Sequence, residues 1–153
     1  MLLRAARAEL ISINSPFRKI PTYRAASEPQ TPWVKVFLVE DSPLLRSRVE
    51  AILASIPGAQ SAGNAAGADE AIAAIERARP DAVVLDIQLE QGNGFDVLRA
   101  VRKSTPAVPV YVLTNFANDA YRRKAESLGA TGFFDKSTEF ERLREALVGI
   151  LRP

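Results

Sequence analysis

Cysteine and histidine are both absent from the 153 residues of the chain. Without cysteine there are no disulfides and no thiol catalysis. Without histidine there is no Ser-His-Asp triad and no zinc site of the usual kind, and the chain cannot be the histidine partner of a phosphotransfer reaction. Acid chemistry and metal binding therefore fall to carboxylates, whose hard oxygens are ligands for Mg²⁺.

Long apolar runs are absent as well. No stretch approaches the ~20 apolar residues that a membrane-spanning helix needs. Arg4, Arg7 and Glu9 interrupt the apolar residues at the start, so no secretory signal is predicted. Apolar residues make up 47% of the chain and charged residues 25%, which is typical of soluble globular proteins. The composition predicts a cytoplasmic protein without a membrane span.

The charge is distributed unevenly along the chain. Of the net charge of +2, residues 1–33 carry +3, so the remainder is nearly neutral and has no nucleic-acid footprint of its own. Four prolines between residues 14 and 33 prevent a helix of useful length there, whereas the first dozen residues can form a short amphipathic helix. We predict a flexible, basic, proline-rich extension over residues 1–33 and one domain over residues 34–153.

Strand and helix patterns alternate from residue 34 onward. Four apolar runs and one weaker short segment, residues 60–65, each predict a strand, and residues at helical spacing follow each of them. The predicted strands are residues 34–40, 60–65, 82–85, 108–113 and 132–134. Ser42 and Pro43 are predicted to begin the first helix, and Thr138 can cap the last. This order predicts an α/β fold, a doubly wound parallel sheet with helices on both faces.

Polar side chains follow four of these strands. Glu40 and Asp41 follow the first strand, Asp86 the third, Thr114 the fourth and Lys136 the fifth. Each could be a helix cap, a turn residue or a solvated charge, but the carboxyl ends of parallel strands meet at one edge of the sheet. Carboxylates there suit Mg²⁺ binding and formation of an acyl phosphate, with lysine and threonine on the phosphoryl oxygens.

Four segments of the chain resemble the motifs of response-regulator receiver domains of bacterial two-component signalling. They are VFLVEDSPLLR, RPDAVVLDIQLEQGNGFDVLRAVR, VPVYVLTNFA and GATGFFDKS, in the order and spacing of the family. The resemblance, to the stand-alone chemotaxis-regulator type, implies a flavodoxin-like (βα)₅ sheet with strand order 2-1-3-4-5. It implies a sensor histidine kinase or histidine phosphotransfer protein as phosphoryl donor and a downstream protein target. A monomer or phosphorylation-dependent dimer is expected, without direct nucleic-acid binding.

The same resemblance implies a role for each site residue. Asp86 is the phosphoacceptor, and Thr114 and Lys136 contact the phosphoryl group. The Mg²⁺ ligands are Glu40, Asp41, Asp86 and the backbone carbonyl of Gln88. Three positions depart from the family pattern, although none removes a reacting group. They are Glu90, Asn115 and Ser137.

Three further residues are assigned to the response and its duration. Phe133 matches the aromatic switch residue, which is expected to turn inward on phosphorylation. The output face is then the fourth helix, the fifth strand and the fifth helix. Gln88 and Phe116 match the positions that flank the path of a hydrolytic water. Because Phe116 is bulky and has no polar atom to hold that water, a long-lived phosphate is expected.

Two alternatives from other classes remain open. A small phosphohydrolase with an aspartyl-phosphate intermediate usually needs a second acid where Gln88 stands. A phosphorylation-independent interaction module would need none of the site residues. We expect a single-domain response regulator, since almost no sequence follows the last predicted helix. Its chemistry would be self-phosphorylation and slow autodephosphorylation, without enzymatic turnover.

Overall fold

The computed structural model describes residues 33–151. Except for Trp33, the predicted extension, including the amphipathic helix expected in its first dozen residues, lies outside the described residues. Strands and helices alternate throughout the described part. The strands are β1 Val34–Val39, β2 Ala59–Ala65, β3 Ala82–Leu85, β4 Val110–Thr114 and β5 Gly132–Asp135. The helices are α1 Pro43–Ala54, α2 Ala68–Ala78, α3 Gly94–Ser104, α4 Asp119–Ser127 and α5 Phe140–Ile150.

The strands form one parallel sheet in the order β2-β1-β3-β4-β5. The predicted fold and strand order are therefore confirmed. One irregularity interrupts the sheet, a register shift against β2 between Val36 and Phe37. The strand β4 begins at Val110 and not at 108. Val108 closes a turn instead, donating its N–H to the Thr105 carbonyl at 3.2 Å, and Pro109 has no N–H for a ladder.

Two apolar layers enclose the sheet because successive side chains of each strand point to opposite faces. Val36 and Leu38 pack with residues of α1 and α5, whereas Phe37 and Val39 pack with residues of α2 and α3. All four residues of β3 are buried. Because helices cover both faces of the sheet, the carboxyl ends of the central strands remain available for a site made of polar side chains. Within the described part of the chain, no helix is long and apolar enough to cross a membrane.

The two helix starts predicted from capping residues differ in outcome. Ser42 caps α1, since its hydroxyl accepts a hydrogen bond from the Leu45 N–H at 3.3 Å and Pro43 is the first helical residue. Thr138 does not cap α5, and this prediction is wrong. Glu139 occupies the N-cap position without a side-chain capping bond, so the Thr138 hydroxyl lies one residue too early. The Glu139 carboxylate instead accepts the Asp135 N–H at 2.9 Å.

Candidate functional site

Three charged side chains meet where β1, β3 and β5 end. The backbone ladder holds two of them, because the Glu40 N–H donates to Ala65 and the Asp86 N–H donates to Val39, both at 3.0 Å. The side chains of Glu40, Asp86 and Lys136 are only 3%, 6% and 4% exposed. They line a pocket of about 170 Å³. The convergence expected from parallel strands is therefore present in the folded chain.

Lys136 lies between two carboxylates. Its Nζ is 2.7 Å from Glu40 Oε1 and 2.8 Å from Asp86 Oδ2. Burial raises the pKa of Glu40 and of Asp86, although the hydrogen bonds from Lys136 oppose this effect. Burial acts to lower the pKa of Lys136, but its bonds to Asp86 and Glu40 outweigh it and raise that pKa. One ammonium thus faces two buried carboxylates, and the negative charge is only partly neutralised.

A third carboxylate completes an oxygen cluster at the pocket. Glu40, Asp41 and Asp86 each offer one oxygen, and these three oxygens lie within 4.8 Å of one another. Asp41 Oδ2 accepts the backbone N–H of Glu90 at 2.7 Å, which fixes the orientation of that carboxylate. With Lys136 counted, the cluster retains two negative charges. These hard oxygen donors and this charge fit one Mg²⁺ ion.

Thr114 is close to the site, but its hydroxyl is engaged elsewhere. The residue is fully buried, and its carbonyl accepts the Lys136 N–H at 3.0 Å. Its hydroxyl accepts the backbone N–H of Phe116 at 3.1 Å. The pocket is lined by Asn115 and Phe116, but Thr114 is not part of the lining. The hydroxyl can still donate its own proton, so contact with a phosphoryl group requires only that it reach the pocket lining.

The two residues predicted to flank the hydrolytic water both line the pocket. Gln88 is exposed, and its N–H donates to Asp86 Oδ1 at 3.3 Å. Phe116 is 46% exposed. Their side chains are connected through Tyr121, to which Gln88 Nε2 donates at 3.2 Å and against which the Phe116 ring packs. The structure therefore brings both predicted residues to the rim of the Asp86 pocket.

Phe133 lies away from the carboxylates in a separate apolar cluster with Val112 and Ala125. Only 7% of it is exposed. The Arg122 guanidinium lies 4.7 Å from the ring centroid, and Arg122 Nη1 donates to the Phe133 carbonyl at 3.4 Å. The Phe133 ring is thus already turned inward in this structure. The inward turn expected on phosphorylation has no outward position from which to start.

Sequence reasoning missed two residues that shape the site from outside. A Cβ at Gly94 would clash with the Asp86 carbonyl and would lie 2.7 Å from Ile87 Cα, so α3 can start this close to Asp86 only with glycine there. Arg46 Nη1 donates to the Glu40 carbonyl at 3.2 Å. Gly94 could have been noticed in the sequence, because a glycine at the predicted start of a helix indicates a close approach of the backbone. Nothing in the sequence pattern signals Arg46.

Comparison with known families identifies the class. The sequence model of the response regulator receiver domain family matches residues 36–148, which is nearly the whole described part of the chain. The chain belongs to this family of two-component systems, as the motifs predicted.

Among its relatives is the DNA-binding transcriptional activator DevR/DosR of Mycobacterium tuberculosis. The match is 33% identical over 114 residues, covering 74% of this chain and 52% of that protein. A protein-glutamate methylesterase/protein-glutamine glutaminase of Pyrococcus horikoshii is 35% identical over 105 residues, covering 67% of this chain and 28% of that protein. The chain thus spans about half, or less, of the length of these relatives.

Solved structures show the same fold. A two-component response regulator of the LuxR family from Aurantimonas sp. SI85-9A1 superposes with a TM-score of 0.73 at 29% identity, covering 78% of this chain and 85% of that one. The chemotaxis protein CheY4 of Vibrio cholerae gives a TM-score of 0.68 at 28% identity, with coverages of 77% and 98%.

Proposed function

We propose that this receiver domain accepts one phosphoryl group on Asp86 in a Mg²⁺-dependent reaction and signals through a conformational change. One observation carries the proposal. The Asp86 carboxylate stands at the carboxyl end of β3, 2.8 Å from the Lys136 ammonium and within one oxygen cluster with Glu40 and Asp41. A candidate nucleophile, an ammonium group and candidate metal ligands thus surround one small pocket, and this arrangement supports the proposal.

The reaction transfers a phosphoryl group without redox change. An Asp86 carboxylate oxygen attacks the phosphorus of a phosphohistidine or acetyl phosphate, and the bond to the leaving group breaks with its electron pair. Lys136 is close enough to hydrogen-bond a new phosphoryl oxygen. Mg²⁺, when bound by Glu40, Asp41, Asp86 and the Gln88 carbonyl, supplies charge neutralisation for the phosphoryl oxygens.

The proposed switch starts at Thr114. Movement of its hydroxyl toward a phosphoryl oxygen would either pull on or break the hydrogen bond that it accepts from the Phe116 N–H. This movement alters the β4–α4 connection, and α4 is tied to β5 through Arg122 and Phe133. The output face is therefore proposed to be α4, β5 and α5.

The wider role is also a proposal. A sensor histidine kinase or a histidine phosphotransfer protein would donate the phosphoryl group, and a downstream protein would read the switched face. The domain would act in the cytoplasm, with residues 1–33 as a basic extension and without turnover of substrates. DNA binding and esterase activity belong to relatives of which this chain matches only a part.

Intact mass after incubation with acetyl phosphate and Mg²⁺ tests the proposal. We expect one added phosphoryl group of about 80 Da, dependent on Mg²⁺. Asp86→Asn should abolish the adduct. Asp96→Asn is the matched control, because Asp96 is an exposed carboxylate paired with Arg99 on α3, and it should keep the adduct.

Absence of the adduct in the unaltered protein would refute the proposal. An adduct that persists in Asp86→Asn would refute the assignment of the acceptor. Repeated turnover of a phosphomonoester would instead favour the phosphohydrolase alternative.

A further inference from the structure

Tyr121 touches both residues that flank the predicted path of water to Asp86. Its hydroxyl accepts a hydrogen bond from Gln88 Nε2 at 3.2 Å. Its ring lies 6.1 Å from the Phe116 ring, centroid to centroid, with 40° between the planes. Gln88 follows β3 and Phe116 follows β4, so Tyr121 in α4 joins two loops that are far apart in sequence.

The position of Tyr121 is itself well determined. Its backbone N–H donates to the Asn118 side chain at 2.8 Å, which caps α4. Its ring also makes an edge-on contact with Phe95, at 5.6 Å between centroids and 73° between planes. Phe95 is buried at the start of α3, the helix that approaches the Asp86 backbone. Tyr121 is therefore held on two sides and can hold other side chains in place.

The hydrogen bond restricts what Gln88 can do. A glutamine amide near a phosphoryl group can orient an attacking water. While Nε2 donates to Tyr121, the Gln88 side chain is directed toward α4 and cannot turn freely into the pocket. The aromatic contact likewise favours the present position of the Phe116 ring at the rim.

We propose that Tyr121 is a positioning residue that slows hydrolysis of the Asp86 phosphate by holding Gln88 and Phe116 at the rim of the pocket. This inference rests on the proposed function. In the hydrolysis, a water oxygen attacks phosphorus and the bond from phosphorus to the Asp86 oxygen breaks. The Asp86 carboxylate leaves with the electron pair, inorganic phosphate is formed, and one water proton passes to solvent.

Tyr121→Phe isolates the hydrogen bond because it removes the hydroxyl and keeps the ring against Phe116 and Phe95. We expect decay of the phosphorylated protein to become about fivefold faster, which is about 1 kcal/mol in activation free energy. The reason is that a released Gln88 amide can orient the attacking water. Tyr111→Phe is the matched control, since Tyr111 packs with Phe134 in the core cluster formed with α1 and α5. The phosphorylated Tyr111→Phe protein should decay at the same rate as the unaltered protein.

A double-mutant cycle separates positioning from general loosening of the fold. Gln88→Leu removes the amide at similar bulk, and in that background Tyr121→Phe should have no further effect on decay. Decay is followed by intact mass with Mg²⁺ present, after removal of acetyl phosphate.

The outcomes distinguish this inference from the function on which it rests. Failure of every variant and of the unaltered protein to form an adduct would overturn the proposed function. Formation of the adduct in all of them, with equal decay in Tyr121→Phe and the unaltered protein, would overturn only the role of Tyr121. An effect of Tyr121→Phe that persists in the Gln88→Leu background would also overturn it.

Discussion

Lys136 shows how one residue makes the site compatible with folding. Two carboxylates that are almost completely buried would be strongly destabilising without a partner, and Lys136 provides one for both Glu40 and Asp86. A bound Mg²⁺ would further balance the negative charge that remains. The same ammonium thus serves the stability of the metal-free domain and, in the proposed reaction, the phosphoryl oxygens.

Phe116 is the residue whose substitution should alter the lifetime of the phosphate most directly. Its ring covers part of the Asp86 pocket but is 46% exposed, so a polar replacement can be accommodated. We expect Phe116→Glu and Phe116→Lys to shift decay by about tenfold, or ~1.4 kcal/mol, because a polar group there can hold a water that phenylalanine excludes. The measurement is the decay rate with Mg²⁺ present.

Leu44→Glu is a suitable control for Phe116, since Leu44 is also a strongly exposed apolar residue but does not line the pocket. Its decay should match that of the unaltered protein. Equal decay rates for both Phe116 variants and the unaltered protein would show that Phe116 does not guard the site.

At the scale of elements, Gly94 allows α3 to begin against the backbone of Asp86, the proposed phosphoacceptor. We expect Gly94→Ala to lower the free energy of unfolding by about 1–3 kcal/mol, because the added Cβ forces the Asp86–Ile87 backbone and α3 apart. Chemical denaturation measures this change. The shift should also reduce the rate of phosphorylation by acetyl phosphate, since it would displace the carboxylate of Asp86, the proposed acceptor.

Gly149 provides the matched control for Gly94 because it also lies in a helix but a Cβ there would meet nothing within 4 Å. Gly149→Ala should stabilise the domain by up to about 1 kcal/mol through helix propensity. If Gly94→Ala is tolerated as well as Gly149→Ala, the close approach of α3 does not constrain the site.

The elements themselves were largely predictable from sequence, and the contacts between distant loops were not. Buried parallel strands give continuous apolar runs, so β3 was found with its observed bounds. Asp86 and Lys136 come directly after β3 and β5, and these positions also predicted that the two residues lie at one edge of the sheet. The hydrogen bond from Gln88 to Tyr121 joins residues 33 positions apart. No local pattern encodes such a contact, because it depends on how α4 packs against β5 and α3.

The capping error has a related cause. By local propensity threonine is a good N-cap residue and glutamate is not, yet Glu139 takes the N-cap position. Phe140, the first helical residue, packs in the core, a tertiary contact that the capping pattern does not report.

At the scale of the whole molecule, the increase in the free energy of unfolding that Mg²⁺ produces should depend on pH. The pKa values of Glu40 and Asp86 are raised above 4.5 and 3.8, so the metal-free fold gains stability as pH falls and loses it as pH rises through their folded pKa values. Lys136, whose pKa is raised, stays protonated throughout this range. Since Mg²⁺ competes with these protons, its stabilising effect should be largest near neutral pH.

Thermal denaturation with and without Mg²⁺ measures this dependence. At Mg²⁺ about tenfold above its Kd, we expect about 1.4 kcal/mol of stabilisation near neutral pH, seen as a Tm increase of several degrees. The increase should shrink as pH is lowered toward 4.5, the ordinary pKa of a glutamate. Asp41→Asn should remove most of it, whereas Glu76→Gln, an exposed position on α2, should preserve it. A Tm increase that is independent of pH would contradict the carboxylate site.

The register shift opposite β2 has a consequence for how copies of this domain can associate. β2 is one edge of the sheet, and Gly63 departs from ordinary strand geometry with a φ of 128°, its N–H donating to the Ser61 hydroxyl at 3.1 Å. The other edge, β5, has only four residues. Irregular or short edges do not offer another chain a continuous row of free N–H and C=O groups. Fibril-like growth by strand addition is therefore disfavoured at both edges of the sheet.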